Sequence, residues 1–339
     1  ELPVYGALGS AEIFAESAVS LLNQLGCIDF LCFGAETIDP HLFHAIVSVL
    51  SDEPPEYRTL LQDALKTGMN FPAARSYALG RLLKNTHCSH ILNLPNNILA
   101  IEYMKAIRRH NCKLTPSVVT RTGAGYHDAD TDTALASASA LRKFIFQDNF
   151  CQETDSEVLN QMLTRTVPDS VRELLLTAHK NHAFLQEDDF SDLLYYELRR
   201  KFLHSASSDS DTECSDLEKR IANNLETFTC WSAFVSESKP KNQTYTAISR
   251  HLLHAFLGID AELLTAAKSY CYAPYARILG FRKDASPLLK ELQEHSRIPL
   301  LRKIAKEKQT LTPEQQNLLD LDVYATDLYN RILFSKTGI

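Results

Sequence analysis

Two short apolar runs constrain the fold of this chain more than any other feature of its sequence. Residues 27–33 are almost continuously apolar, and residues 116–120 form a second run that ends at Arg121. Such runs are typical of strands in a parallel sheet, because helices cover both faces of that sheet and bury the strands. Helical patterns lie before and between the two runs. The sequence therefore predicts an α/β domain with a Rossmann-like parallel sheet.

The helical patterns around these runs have recognisable starts and ends. Residues 11–25 repeat apolar side chains at helical spacing. Residues 98–109 repeat them again after Pro95, whose fixed φ suits a turn, and Asn96 or Asn97 could cap that helix. The order of helix, strand, helix and strand agrees with a parallel sheet whose strands are joined by helices.

The alternation of strands and helices stops after Asn149, and the later periodic segments all have helical spacing. We therefore place a domain boundary near residues 147–154, which divides the chain into an α/β domain at 1–149 and a helical domain at 150–339. Residues 205–216 are polar and acidic, so we expect a mobile loop there. The helices predicted in the second domain are 155–163, 170–184, 190–204, 215–229, 245–257, 261–279, 286–295, 299–306 and 313–332.

Composition excludes some classes of protein. With 45% hydrophobic and 23% charged residues, the chain is typical of soluble proteins that bury a substantial core, and no apolar run is long enough to span a bilayer. Its eight cysteines form no C-x-x-C pair, which favours reduced thiols in the cytoplasm over disulfides or zinc ligands. The net charge of −7 argues against a non-specific coat on a polyanion.

One segment of this acidic protein is nevertheless basic. Residues 275–309 contain nine basic and four acidic side chains, a net charge of +5. Tyr245, Tyr275 or Phe281 could stack on bases beside these cations, although a core role for Tyr275 and Phe281 and a solvated face for the cations explain the pattern equally well. The cations that we consider for contacts with RNA are Arg250, Arg277, Arg282, Lys283, Arg302 and Lys303.

Two residues close the predicted strands at the edge where open α/β sheets bind ligands. Gly34 follows the first strand, where a missing side chain would let a flat ring or a ribose approach the backbone. A plain glycine in a β-to-α turn is the alternative. Arg121 closes the second strand and could pair with a phosphate through both guanidinium nitrogens. A structural ion pair with Asp128 or Asp130 is the alternative for Arg121.

A further pattern, S-x-S-x-x-R, opens the helix that follows residue 136. Ser137 and Ser139 put small hydroxyls and free backbone N–H groups at the positive end of this helix, with Arg142 one turn later. Such a helix end is a place for an anion such as a phosphate. A helix cap with a surface arginine is the alternative, since so short a pattern arises often by chance.

These motifs together resemble those of a known family. The sequence SASALR is similar to the S-[SA]-[ST]-x-[IL]-R signature of nucleotidyltransferase-like α/β domains. The order PNNILAIEYMKAI, a strand ending in Arg, GAGYHD and SASALR resembles the tRNA(Met) cytidine acetate ligase family. The resemblance extends to ELPVYGALGSAEIFAESAVSLLNQLG and LCFGAE near the start and to YARILGFRK and IPLLRK near the end, and so covers almost the whole chain.

The resemblance implies a nucleotidyltransferase-like sheet domain followed by a tRNA-binding helical domain. It implies that ATP activates acetate and that the acetyl group passes to the wobble cytidine of elongator tRNA(Met), giving N4-acetylcytidine. Gly34 and Asn96 would seat the adenosine of ATP. The residues that would counter the phosphate charge are Arg121, Ser137, Ser139 and Arg142. Mg²⁺ is expected with ATP, although no dedicated metal cage is visible in the sequence.

The resemblance also implies a segment that these 339 residues do not contain. In the family, a strand followed by an H-x-G-H-type motif opens the sheet, and its imidazoles hold the phosphates of ATP. His41 and His44 have the wrong spacing and follow no buried strand. We therefore expect the catalytic residues upstream of Glu1, none within these residues, and no activity from this polypeptide alone.

Two other functions are compatible with the same motifs. A different nucleotidyltransferase could join ATP to a small phosphorylated cofactor precursor, which would use Ser137 to Arg142 but would not need the helical half. A non-catalytic RNA-binding protein could keep the fold without an active site. The products of adenylation distinguish the first of these from the ligase, because a dinucleotide and an acetyl-adenylate differ.

Overall fold

The computed structural model of the chain describes residues 1–37, 39–121, 137–146, 153–205, 215–241 and 243–338. These residues form many helices and two pairs of short parallel strands. The strands are β1 Phe30–Ala35, β2 Thr115–Thr120, β3 Ala276–Arg277 and β4 Leu300–Leu301. The helices are α1 Val4–Ala7, α2 Ala11–Leu25, α3 Pro40–Asp52, α4 Pro55–Lys66, α5 Phe71–Leu82, α6 His87–Leu92, α7 Pro95–Arg109, α8 Ala138–Ile145, α9 Glu153–Thr166, α10 Asp169–Lys180, α11 Ser191–Ser205, α12 Asp216–Asn224, α13 Trp231–Ser238, α14 Tyr245–Leu257, α15 Ala261–Ser269, α16 Ser286–His295, α17 Ile304–Glu307 and α18 Pro313–Thr337.

The two predicted strands pair in parallel as β1 and β2. Their register runs from Phe30 opposite Thr115 to Ala35 opposite Thr120. Because the strands are parallel, their carboxyl ends meet at one edge, which brings Gly34 and Arg121 to the same place. The prediction of a parallel sheet is confirmed for these strands, although β1 begins three residues later than the apolar run and includes Gly34.

Helices α3 to α7 and the β1–β2 pair enclose one hydrophobic core. Its fully buried side chains include Ile46, Leu79 and Ile101. A smaller cluster, centred on Val19 and Leu114, joins α2 to α7 and to the first strand. The apolar spacing read from the sequence is the cause, since each helix turns its apolar stripe toward the strands.

Helix α2 also connects this core to the helical half. It ends at Gly26, whose φ of 76° is the left-handed conformation that glycine adopts without strain. A Cβ on Gly26 would lie only 2.4 Å from the carbonyl oxygen of His295. Two residues further on, the N–H of Arg297 donates to the oxygen of Gln24 over 2.8 Å. The glycine that ends α2 therefore also permits a close contact between the two halves.

The second half has its own core of helices, as predicted, and α14 and α16 have the predicted bounds. Trp231, Phe234 and Ile248 are among its buried side chains. Two predicted helices are wrong in part. The helix predicted at 261–279 ends at Ser269 and is followed later by β3, and the one predicted at 299–306 contains β4. Strands of two residues are too short to leave a period-two pattern in the sequence.

The first residues of the chain pack against the helical core. Tyr5 is fully buried there, and the N–H of Val4 donates to Oδ1 of Asp322 over 2.8 Å. The hydroxyl of Tyr275 donates to Oδ2 of Asp322, also over 2.8 Å. Burial raises the pKa of Asp322 above its ordinary value, although the hydrogen bonds from Val4 and Tyr275 oppose that shift.

These contacts connect residues on the two sides of residue 149. The domain division placed there remains a prediction. The boundary region at 147–152 and most of the acidic loop at 205–216 lie outside the described residues. Where the structure describes the chain, no helix has the length and apolar character that a bilayer crossing requires.

Candidate nucleotide site and basic edge

Gly34 and Arg121 are neighbours at the carboxyl edge of β1 and β2. The N–H of Arg121 donates to the oxygen of Ala35 over 2.9 Å. A Cβ built on Gly34 would lie 3.4 Å from Cγ of Arg121, so the aliphatic part of the arginine lies beside the glycine. The structure thus joins two of the predicted ligand contacts in one place.

The position of Gly34 is not that of a turn glycine. It lies inside β1, opposite Val119, and the described glycines with positive φ are elsewhere in the chain. A Cβ at this position would make an ordinary contact with Arg121 and no clash. The backbone conformation therefore does not require glycine here, and the close approach of a ligand to Gly34 stays a prediction.

Glu36 follows β1 and binds the beginning of α7. Its Oε1 accepts hydrogen bonds from the backbone N–H and the side-chain amide of Asn96, at 3.2 and 2.6 Å. Its Oε2 accepts from the N–H of Asn97 at 2.9 Å. Burial alone would raise the pKa of Glu36, but the hydrogen bonds from Asn96 and Asn97 outweigh it and lower the pKa. The carboxylate therefore occupies the positive end of α7.

Asn97 completes this arrangement from the other side. Its side chain is fully buried, and Oδ1 accepts from the N–H groups of Glu36 and Thr37 at 2.9 and 3.2 Å. Its Nδ2 has no hydrogen-bond partner among the described residues. The loop after β1 and the start of α7 thus hold each other, and we call the side chains of Glu36, Asn96 and Asn97 the clasp.

The clasp corrects the prediction that an asparagine caps α7. The helix begins at Pro95, and Leu94 at the capping position makes no side-chain bond. The carboxylate of Glu36 instead accepts hydrogen bonds from the first N–H groups of α7, those of Asn96 and Asn97. One N–H of the Asn96 side-chain amide is used by Glu36, so its oxygen and its second N–H are left for a ligand. Glu36 and Asn97 were not predicted from the sequence as residues of the candidate site. The available signal for Glu36 was an acidic residue directly after a strand that ends in Gly-Ala.

The S-x-S-x-x-R pattern opens α8 as predicted. Ser137 is buried and caps the helix, its Oγ accepting from the N–H of Ala140 at 3.0 Å. Ser139 and Arg142 are exposed, and the guanidinium donates to Oγ of Ser139 at 3.4 Å. The cap is therefore present, and a phosphate at this helix end shared with Arg121 stays a prediction. The GAGYHD segment, with Asp128 and Asp130, lies outside the described residues.

Arg277 does not belong to an exposed basic surface. Its side chain is 14% exposed, and its Nη1 lies 2.9 Å from a carboxylate oxygen of Glu1 and 4.0 Å from Oδ2 of Asp322. The protein's own carboxylates neutralise this guanidinium. This corrects its placement among the RNA contacts.

Four of the other predicted RNA contacts follow the parallel strands β3 and β4 in the chain. Ala276 lies opposite Leu300, and the N–H of Ile278 donates to the oxygen of Leu301 over 2.8 Å. The residues that follow the two strands therefore leave at the same edge. We call this group the basic edge, formed by Leu279, Phe281, Arg282, Lys283, Arg302 and Lys303.

Arg250, the remaining predicted RNA contact, lies on α14. It lines a cavity of about 340 Å³ together with Leu8, Gly9 and Tyr245. The hydroxyl of Tyr245 donates to Glu187 over 2.5 Å, which ties this aromatic ring to the protein. Any contact of Arg250 with RNA is thus a separate prediction from those at the basic edge.

Comparison with known proteins identifies the family. The model of the HIGH Nucleotidyl Transferase family matches residues 1–338. The chain belongs to this family. Two tRNA(Met) cytidine acetate ligases, from Clostridium perfringens and Clostridium kluyveri, are 32% and 33% identical to it over 97% of this chain and 78% of their own length. The resemblance predicted from the motifs is confirmed.

Solved structures confirm the fold class. The apo crystal structure of Thermotoga maritima TmcAL has a TM-score of 0.85 with this chain, at 24% identity, and the match covers 98% of this chain and 79% of that one. A second crystal form of the same protein, bound with alpha-thio ATP, has a TM-score of 0.81. The nucleotidyltransferase-like sheet domain with its helical companion is therefore the observed architecture.

Proposed function

We propose that this protein carries out the ATP-dependent ligation of acetate to the wobble cytidine of elongator tRNA(Met), in the cytoplasm. The identity of about one third to tRNA(Met) cytidine acetate ligases along 97% of the chain carries this proposal. A protein of the same fold has been crystallised with alpha-thio ATP, which supports ATP as the activating substrate. The six described cysteines are free thiols, as is usual in a reducing compartment.

The proposed chemistry has two steps. A carboxylate oxygen of acetate attacks the α-phosphorus of ATP, the bond to the β-phosphate breaks, and acetyl-adenylate and pyrophosphate form. The exocyclic amine of cytidine then attacks the acetyl carbonyl, loses a proton, and AMP leaves. Neither step needs a nucleophile from the protein, so the side chains orient the substrates and balance charge. Mg²⁺ bound to ATP would share the neutralisation of phosphate charge.

The clasp indicates where the adenosine and the triphosphate of ATP would bind. Because the carboxylate of Glu36 occupies the start of α7, that helix end repels phosphate. Gly34 and the free side-chain oxygen of Asn96 would therefore meet the adenosine. The triphosphate would lie toward Arg121 and the exposed start of α8, where Ser137, Ser139 and Arg142 are placed.

The activity is tested with labelled acetate, ATP and an elongator tRNA(Met) transcript. We expect label in N4-acetylcytidine at the wobble position, with AMP and pyrophosphate as by-products. A dinucleotide product would instead identify a cofactor adenylyltransferase, and tRNA binding without any ATP turnover would identify an RNA-binding relative.

Arg121 gives the sharpest test of the phosphate side. Replacing Arg121 by Ala removes a charged donor beside Gly34, and hydrogen bonds to charged groups contribute about 1.5–3 kcal/mol. We expect ATP affinity, measured by calorimetry, to fall by roughly tenfold to a hundredfold. The Arg58→Ala variant removes an exposed arginine from α4 and is the control. Equal losses in the two variants would show a general charge effect and contradict the assignment.

Replacing Gly34 by Ala distinguishes a role of this residue in ligand binding from a role in folding. In the Gly34→Ala variant, the added Cβ meets Arg121 at an ordinary distance, so the thermal unfolding midpoint should stay close to that of the wild type. ATP binding should weaken, because the methyl group stands where the nucleotide would approach the strand. A variant that binds ATP normally would show that nothing approaches Gly34, while a large loss of stability would restore the structural explanation.

A further inference from the structure

Two large apolar side chains stand in solvent at the basic edge. Leu279 is 73% exposed and Phe281 is 54% exposed, two and four residues after the end of β3. Gly280 between them has no atom within 4 Å of the position of a Cβ, so the loop is open on that side. Single exposed apolar residues are common on protein surfaces, but two within three residues on an open loop form a patch.

Cations follow this apolar patch along the chain and at the end of the neighbouring strand. Arg282 and Lys283 continue the same loop, and the parallel pairing of β3 with β4 places Arg302 and Lys303 at the same edge. Arg282 pairs with Asp284, and Glu307 accepts from the N–H groups of Arg302 and Lys303. The segment 275–309 still carries a net charge of +5 in a protein whose total is −7.

This combination fits one kind of partner. An ordinary protein surface would use the apolar side chains but does not need a concentrated positive charge. An anionic membrane would use both features, but the proposed function supplies a tRNA and no membrane as the partner. A nucleic-acid duplex would use the charge but leaves no base face for an aromatic ring. A single-stranded nucleic acid uses both, because its phosphates meet the cations while an unpaired base stacks on the ring.

We propose that Phe281, supported by Leu279, is a stacking platform for an unpaired base in the anticodon loop of the tRNA, while Lys283 and Lys303 meet the adjoining phosphates. The inference rests on the proposed function and deepens it, since it names the part of the tRNA that the helical half recognises. It also predicts that the basic edge discriminates loop from stem.

Binding is measured with the protein and two RNA probes, the anticodon stem-loop of elongator tRNA(Met) and a fully paired duplex of the same stem. We expect tighter binding to the stem-loop. Phe281→Ala should weaken stem-loop binding by about tenfold and leave duplex binding unchanged. Phe281→Trp should retain the affinity, whereas Phe281→Leu, which keeps apolar area without an aromatic face, should behave like the alanine variant.

The dependence of affinity on salt provides a second readout. Loss of a stacking contact leaves the slope of log affinity against log salt unchanged in Phe281→Ala. Lys303→Ala should instead lower that slope by about 0.7, the value for one phosphate contact of a single strand. Phe71, which is 56% exposed on α5, provides the matched control, because Phe71→Ala removes an equally exposed ring and should change neither quantity.

The possible failures are distinguishable. If the wild-type protein binds the stem-loop and Phe281→Ala or Phe281→Leu binds it equally well, the stacking platform is wrong and the tRNA substrate stands. If the wild-type protein binds duplex and stem-loop equally, recognition of unpaired bases is wrong. If it binds neither RNA, the proposed function is overturned and the platform with it.

Discussion

Replacing Asp322 by Ala is expected to lower the free energy of unfolding by about 2–5 kcal/mol, because two hydrogen-bond donors in the core lose their acceptor. Asp322 is 5% exposed and accepts from the N–H of Val4 and the hydroxyl of Tyr275. It also lies within ion-pair distance of Arg277. Its loss leaves these two donors without their acceptor, and each orphaned group costs about 1–3 kcal/mol, whereas Arg277 keeps its ion pair with Glu1.

Urea unfolding followed by the fluorescence of Trp231 measures this effect, since that side chain lies in the same core. Asp327→Ala is the control, because it removes an exposed acid from the same helix and should cost less than about 0.5 kcal/mol. A loss as small as that of the control would mean that the start of the chain does not depend on Asp322 for its place against α18.

The effect of Asp322 should also depend on pH in a defined direction. Because burial raises the pKa of Asp322 in the folded protein, the folded state holds the proton more tightly than the unfolded chain. The contribution of Asp322 to the free energy of unfolding is therefore complete below the ordinary pKa of aspartate. It falls as pH rises through the raised pKa. We expect the difference between wild type and Asp322→Ala to be largest in acid; a difference that grows with pH would contradict the raised pKa.

The sequence predicts the elements that have a long period or a strong boundary. Helix α2 was predicted with its observed bounds because its apolar stripe is regular and Gly26 ends it. The strands β1 and β2 were predicted because continuous apolar runs are typical of parallel strands. The expected burial of both faces was wrong, since alternate residues, among them Phe30 and Val119, are exposed. The short strands β3 and β4 were not, since pairing between residues 276 and 300 depends on tertiary contacts that no local pattern records.

The same limit applies to the candidate site. Gly34 and Arg121 could be placed together because each closes a strand of one parallel sheet, and the structure joins them. Glu36 and Asn97 could not, because their hydrogen bonds connect residues that are 61 positions apart in the chain. Arg277 was assigned to RNA on charge alone, and only the fold shows that Glu1 and Asp322 neutralise it.

Replacing Glu36 by Ala is expected to weaken ATP binding by about tenfold or more while the protein stays folded. The variant removes the acceptor of three hydrogen bonds at the start of α7, a loss comparable to that of a helix cap, about 1–2 kcal/mol. It also releases the side chain of Asn96 and opens a positive helix end to phosphate, so the triphosphate gains a competing place to bind. Calorimetry with ATP measures the affinity, and inorganic pyrophosphate probes the new anion site.

Three comparisons separate the clasp from a general loss of charge. Glu56→Ala removes an exposed acid from the first turn of α4 and should leave ATP affinity unchanged. Glu36→Gln keeps an acceptor for Asn96 but turns an amide donor toward the N–H of Asn97, so its loss of ATP affinity should be intermediate.

The effect of Glu36 should also depend on pH. Because the pKa of Glu36 is lowered, the contribution of its carboxylate is complete above the ordinary pKa and disappears as pH falls through the lowered one. The deficit of Glu36→Ala should therefore be constant near neutral pH and vanish in acid, and normal ATP affinity in this variant would show that the nucleotide site is independent of the clasp.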